Sequence, residues 1–365
     1  MKTLLKKNLR KIIIYGAVLL ILLISMCFST YIDVGIQKGL ANKKHIIAND
    51  KMIVHFINVN QADAVAINFP NGEVALIDTG SVYSANSLIK YLDTYVIPFS
   101  DGSIDYLFYS HADNDHTGGI KSVLHNYKVK NIIRPRQYAT FESLTSEYEA
   151  YFKDEDYSYT MSAIYNEVKK EGAKLIKAED LLQFNVGNVK IDIYYPLIKV
   201  EDSNNFSYFI KIEYNGFSLL FTGDADANIE KKMIEKHESD LDCDILKVAH
   251  HGSNTSSTSQ FLQAVTPQYA VISVGKNNYG HPSSEVINNL YASGVNKILR
   301  TDLDGDILFT VDKDIDLYVG EYYISKIEFK YYKLSWIIIF MLICYGTYWF
   351  VITFKQVLIS KIKHK

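Results

Sequence analysis

The sequence predicts an α/β domain held between two transmembrane helices. Three observations carry this reading. An uncharged apolar run lies near each end of the chain, the stretch between them alternates short strand-like runs with helical patterns, and that stretch contains a dense cluster of His and Asp. With 365 residues, 48% hydrophobic and 22% charged, the chain can bury a large core and is not disordered. A formal net charge of -3 excludes a strong whole-chain attraction to nucleic acid or acidic lipid. Cys27 and Cys344 sit in the two apolar runs and Cys243 stands alone, so neither a disulfide framework nor a CxxC zinc site is available.

The first apolar run, residues 12–28, stays mostly apolar to Ile32, and the second covers residues 334–354. A helix needs about 20 such residues to cross the hydrocarbon core. Trp336 stands near one end of the second run, where an interfacial anchor belongs. Lys2, Lys6, Lys7, Arg10 and Lys11 precede the first run, and Lys355, Lys361, Lys363 and Lys365 follow the second. Positive flanks favour the cytoplasm. The expected topology is therefore a two-pass protein of the cell membrane, with cytoplasmic tails at 1–11 and 355–365, spans at 12–32 and 334–354, and an extracytoplasmic domain at 45–325. The first run reads as an uncleaved anchor, because no small-x-small site follows it and Met26 before Cys27 makes a poor lipoprotein site. The lipid bilayer is the one partner this implies directly; protein partners are not legible.

Within the domain, residues 51–59 and 64–69 read as strands, the second placing Val65, Ile67 and Phe69 on one face. Asn71-Gly72 is a hairpin turn signal and 74–77 the returning strand. A helix is expected over 85–96 and an apolar strand over 104–109. Further strands are expected at 130–134, 189–195, 206–214, 217–222, 244–249, 269–274 and 306–311, and helices at 117–126, 145–171, 226–238, 257–265 and 284–293. Residues 142–160, rich in Glu, Tyr, Asp and Ser, read as a surface excursion.

The chemistry concentrates in Ser110-His111-Ala112-Asp113-Asn114-Asp115-His116-Thr117-Gly118-Gly119, directly after the strand ending at Tyr109. Four potential metal ligands in six residues cannot share one face of a strand or helix, but a tight loop can turn them toward a common point. Gly118 and Gly119 then let the next helix begin close beneath. Imidazole and carboxylate are the usual ligands of divalent ions.

This stretch resembles the HxHxDH motif of the metallo-β-lactamase superfamily in an HxDxDH variant, and looks most like the extracytoplasmic hydrolase domain of ComEC-type competence proteins. The resemblance runs in order over residues 52–312. Val-Ala-Leu-Ile-Asp-Thr-Gly at 74–80 is similar to the family's "IDTG" strand, Phe-Thr-Gly-Asp at 221–224 to "TGD", and Leu-Lys-Val-Ala-His-His-Gly-Ser at 246–253 to "LKxxHHGS". Residues 273–282 resemble "SVGxNNxYGHP" with one residue missing before Tyr279, and Arg300-Thr301-Asp302 a late "RTD".

The resemblance implies an αββα sandwich, two mixed sheets flanked by helices. It also implies two divalent ions, zinc or manganese: His111 and Asp113 on the first, Asp115 and His116 on the second, Asp224 bridging. One histidine of the His250–His251 pair completes the second site, with His251 favoured as ligand and His250 facing substrate. Asp78 resembles the carboxylate that orients a ligand histidine, and His281 is either a phosphate contact or proton donor or a structural histidine. Asp115, His250 and His281 are thus the candidates for proton transfer. Asp113 in place of a second His adds anionic oxygen and tilts preference toward harder ions such as manganese. Paired ions about 3.5–4 Å apart suit in-line attack on a phosphodiester.

Family members commonly have Asp-Val-Gly-Gln-Gly-Asp-Ala where this chain has Asn58-Val59-Asn60-Gln61-Ala62-Asp63-Ala64, which alters the loop beside the site; of its functional half, Gln61, Asp63 and Ala64 persist. Asn204 and Ser207 stand at an "NxxS" and supply no His to the first metal. The expected function is metal-dependent hydrolysis of a phosphodiester, extracellular DNA or a cell-wall polymer such as a teichoic acid. DNA needs a basic groove, and no dense Lys/Arg run lies near the motifs. β-Lactam or lactone hydrolysis is disfavoured by the Asp113 variant, and DNA translocation by the absence of more than two spans. The non-enzymatic alternative is a degenerate hydrolase kept as a membrane-tethered binding or assembly protein.

Overall fold

The computed structural model describes residues 51–135, 172–196 and 203–319, with Lys170, Ile352 and Lys355 beside them. Both apolar runs (Ile352 apart), the helix expected at 145–171 (Lys170 apart) and the excursion at 142–160 lie outside these residues. Among the described residues no helix is long and apolar enough to cross a membrane. One compact unit spans Lys44–Glu321, and the architecture below is that of this unit.

Its fifteen described strands form two sheets. The chain order is β1 Met52–Phe56, β2 Val65–Asn68, β3 Val74–Ile77, β4 Ile104–Phe108, β5 Val129–Arg134, β6 Lys174–Lys177, β7 Leu182–Val186 and β8 Val189–Tyr194. There follow β9 Phe209–Tyr214, β10 Phe217–Phe221, β11 Ile245–Lys247, β12 Tyr269–Ile272, β13 Lys297–Arg300, β14 Ile307–Val311 and β15 Ile315–Val319. The eight-stranded sheet is ordered β15-β14-β1-β2-β3-β4-β5-β6, and the seven-stranded sheet β13-β12-β11-β10-β9-β8-β7. Strands β3 to β6 pair in parallel, as do β10 to β13; the remaining pairings are antiparallel.

Side chains on a strand point alternately to its two faces, and the burial pattern shows four layers by this rule. Met52, Val54, Phe56, Val65, Ile67, Ala75 and Ile77 of the first sheet meet Ile191, Ile193, Ile210, Ile212, Leu219 and Phe221 of the second in one central core. The alternate residues Ala66, Val74 and Leu76 face outward into a second core, where Leu88, Ile120, Val123 and Leu124 cover them. Leu220, Leu246, Ala270 and Ile272 face a third, with Ile229, Met233, Phe261, Leu262, Val286 and Leu290. The covering residues belong to α1 Ala85–Tyr91 and α3 Ile120–Asn126 on one side, and to α4 Ala227–His237, α5 Ser259–Val265 and α6 Ser284–Ala292 on the other. Short helical turns α2 Asn114–Thr117 and α7 Thr301–Asp304 complete the described helices. This is the αββα sandwich the resemblance implied.

Local chemistry explains the boundaries. Gly72, with φ 87°, donates to Phe69 O at 2.9 Å and closes the β2–β3 hairpin at the expected Asn-Gly. The strand expected from 206 begins at Phe209, because Ser203–Phe206 winds into a 3-10 turn. The helix expected over 117–126 begins at Ile120. Gly119 precedes it, and any Cβ there would drive into the backbone oxygen of Thr79. The strand expected to reach Val59 ends at Phe56, and the helix expected to Val96 loosens into a π-turn after Tyr91.

Candidate metal centre

The chemistry-bearing residues gather where parallel strands of both sheets end. Asp78 follows β3, the loop 109–119 follows β4, Asp224 follows β10, His250 and His251 follow β11, and the segment to His281 follows β12. Crevices at the carboxyl ends of such strands are where open α/β sheets hold ligands. Asp63 arrives separately, on the loop from β1 to β2.

Asp63, His116, Asp224 and His251 are all buried, and one ligand atom from each lies within 4.8 Å of the others. His116 Nε2 is 3.2 Å from Asp224 Oδ1, and His251 Nε2 is 3.1 Å from Asp115 Oδ2 and 3.8 Å from Asp224 Oδ2. On the other side of Asp224, His111 Nε2 stands 4.0 Å from its Oδ2 and 3.6 Å from Asp113 Oδ2. His250 Nε2 is 3.8 Å from the same Asp224 oxygen, with its side chain 24% exposed at the mouth. The HxDxDH loop thus contributes to two neighbouring groups that share Asp224.

The donor set fits divalent ions. A ligand histidine presents one nitrogen inward and ties the other N–H to a carboxylate, carbonyl or hydroxyl. His116 Nδ1 donates to Asp78 Oδ2 at 2.8 Å, His251 Nδ1 donates to the Ser273 carbonyl at 2.8 Å, and His111 Nδ1 meets Ser110 Oγ at 3.0 Å. Their Nε2 atoms therefore converge on Asp224. His111 Nε2 and Asp63 Oδ1 are buried without a hydrogen-bond partner. Such orphaned groups are costly unless something binds them.

The supports are as specific as the cluster. Asp78, in a left-handed backbone conformation (φ 57°), also accepts from Ser110 N and Ser110 Oγ, both at 2.8 Å. Ser207 Oγ accepts from Asp224 N at 3.0 Å and meets His111 Nδ1 at 3.5 Å, so the "NxxS" serine fixes two candidate ligands without being one. His250 (φ 50°), His251 (φ 52°) and Gly252 (φ 80°) form three successive left-handed residues after β11. That turn splays the two neighbouring imidazoles apart, His251 into the cluster and His250 to its mouth. His281 stands beside His250, with ring centroids 5.7 Å apart.

Burial favours neutral imidazole at His116, His251, His250 and His281, and the neighbouring carboxylates oppose it. Asp224 and Asp78 outweigh burial at His116 and hold its pKa well above 6.5, and Asp224 and Asp63 outweigh it at His251 and raise that pKa. Burial wins at His250 and His281, whose pKa values fall below 6.5. The imidazoles in turn overcome burial at Asp224 and keep it ionised.

Two participants lie outside the expected ligand set. Asp63 belongs to the altered loop, and Lys247, at the end of β11, is 3% exposed and ion-paired with it. Lys247 Nζ is also 3.9 Å from Asp224 Oδ1. Asp63 and Asp224 outweigh burial and raise the lysine pKa, so the ammonium stays charged. The available signals were Asp63, which persists at the family's loop position, and Lys247, a charge at the end of the apolar run of a central parallel strand.

Residues 57–187 match the family model of the metallo-beta-lactamase superfamily. Two curated relatives narrow the likeness. ComE operon protein 3 of Bacillus subtilis is 29% identical over 278 residues, covering 70% of this chain and 32% of its own. Competence protein ComA of Neisseria gonorrhoeae is 32% identical over 246 residues, covering 66% and 28%. The resemblance to ComEC-type competence proteins is thereby sustained, and this chain spans about a third of the length of these relatives. Among solved structures, the metallo-beta-lactamase fold protein YhfI of Bacillus subtilis is 12% identical with a TM-score of 0.46, covering 74% of this chain and 100% of that one.

Proposed function

We propose that this chain is a membrane-anchored, metal-dependent phosphodiesterase that acts outside the cell on DNA or a cell-wall polymer, at a site for two divalent ions, zinc or manganese. The observation that carries this is the convergence on Asp224 of three histidine Nε2 atoms whose Nδ1 atoms are all engaged. His111, Asp113 and Asp224 would hold one ion, and Asp224, His116, His251, Asp115 and Asp63 the other. When bound, the ions supply Lewis acidity and neutralise charge developing on the phosphoryl group. Asp115, 3.1 Å from His251 Nε2, accepts the proton of the attacking water. His250 and His281, neutral at the half-buried mouth, orient the phosphoryl oxygens through their N–H groups, and the proton taken up by Asp115 returns to the leaving alcohol. The resemblance to ComEC-type competence proteins favours DNA as the substrate.

Lys247 favours a second reading. Its ammonium already neutralises Asp63, which suits a tethered binding protein that needs no ion. Metal content separates the two. The full chain should contain about two ions by elemental analysis and hydrolyse bis-p-nitrophenyl phosphate with Mn²⁺ or Zn²⁺. The Asp115→Ala/His116→Ala double variant should lose at least about 100-fold of that activity. A metal-free, inactive chain would leave the binding protein as the reading.

A further inference from the structure

We infer that Tyr279 is a specificity-determining residue: its ring is a shelf on which the nucleobase next to the scissile phosphodiester stacks. This rests on the phosphodiesterase reading and names the part of the substrate that it selects. Tyr279 is 77% exposed, an unusual setting for a large ring on a tightly held loop. It stacks on His281 with centroids 5.8 Å apart and planes 23° from parallel. His281 packs edgewise on His250, whose Nε2 lies 3.8 Å from Asp224 Oδ2. Three rings thus lead stepwise from solvent to the metal centre.

The ring is held out rather than left loose. Asn277 Oδ1 accepts from Tyr279 N at 3.0 Å and from His281 N at 3.1 Å, while Asn277 Nδ2 donates to Gly275 O at 2.9 Å and His281 O at 2.8 Å. Gly275 N donates to Gln61 Oε1 at 3.1 Å, and Ser283 N to Gly252 O at 2.8 Å, which anchors both ends of the loop beside the cluster. A pre-ordered exposed ring gives up little entropy when a flat partner lands on it. A nucleobase has such a face, whereas a polyol phosphate has none. Lys276, exposed on the same loop, adds the cation that a phosphate backbone requires.

The test uses the full chain with Mn²⁺ and two end-labelled substrates of equal length, a short oligothymidylate and the same backbone built of abasic residues. Tyr279→Ala should raise KM for oligothymidylate by about 10- to 100-fold, the range of one lost base stack, and leave kcat within about twofold. The abasic substrate should be cleaved equally by wild type and variant, and Tyr279→Phe, which keeps the ring, should behave as wild type. If both substrates are cleaved but Tyr279→Ala changes neither or both alike, the shelf is refuted while the phosphodiesterase stands. If the wild type cleaves neither oligomer yet hydrolyses bis-p-nitrophenyl phosphate, the shelf is refuted while the phosphodiesterase stands; if it hydrolyses none of the three, both fall.

Discussion

Asp78→Asn removes one charge and almost no volume from beneath the cluster. The native carboxylate accepts three hydrogen bonds of 2.8 Å, from Ser110 N, Ser110 Oγ and His116 Nδ1. Asparagine keeps one oxygen, which serves Ser110 N, but puts an NH2 group where Oδ2 faced two donors. His116 relieves the clash by moving its proton to Nε2, the atom directed at Asp224. A protonated Nε2 cannot bind an ion. Loss of such an orienting partner lowers metal affinity by about 10- to 100-fold, which corresponds to about 1.4–2.8 kcal/mol. Competition of the purified chain with a chromophoric chelator measures the affinity, and circular dichroism checks that the fold persists. An Asp78→Asn variant that folds and binds metal within about threefold of wild type would refute the orienting role.

Three further outcomes are expected. Lys247→Met strands Asp63 as a buried charge and should cost about 3–5 kcal/mol of stability by denaturant titration; added Mn²⁺ should restore more stability to the variant than to wild type, and equal shifts would show that Lys247 does not balance the cluster. Gly119→Ala forces a methyl group into the Thr79 carbonyl and should cost about 1–3 kcal/mol, whereas an unchanged melting temperature would remove the close-approach argument. Burial raises the Glu230 pKa from 4.5 to about 7, against the backbone N–H groups of Ser257 and Thr258 that it accepts from. A native pKa above the unfolded one gives stability that is full below pH 4.5 and lost as pH rises through about 7. The wild type should therefore lose up to about 3 kcal/mol across that window relative to Glu230→Gln, and parallel pH profiles would contradict it.

The sequence is most legible where burial is most complete. The β2–β3 hairpin and the runs that became β4, β8, β10 and β14 are apolar segments bounded by turns, and their alternation is that of the packed layers. The strands that went unread are β6, β7, β13 and β15, the four edges of the two sheets. An edge strand has one unpaired side and gains from charge, so Lys174–Lys177 and Lys297–Arg300 are written with lysine and arginine at both ends. The site divides in the same way. His111 to His116, Asp224 and the His250–His251 pair are local motifs, and the structure gathers them around Asp224. Asp63 and Lys247 are single residues 184 apart, and only the docking of one sheet on the other brings them into contact.

That docking gives any ion bound at the cluster a second role. Asp63 and His116 hang from the eight-stranded sheet, Asp224 and His251 from the seven-stranded one, so neither sheet owns a complete coordination shell. An ion there acts as a rivet through the central seam. By mass action it would secure the folded chain by about 2.7 kcal/mol at a free concentration 100 times its dissociation constant. The lifetime of the protein would then follow the metal content of its surroundings. Starvation for the ion would clear the protein by unfolding and proteolysis, with no separate regulator.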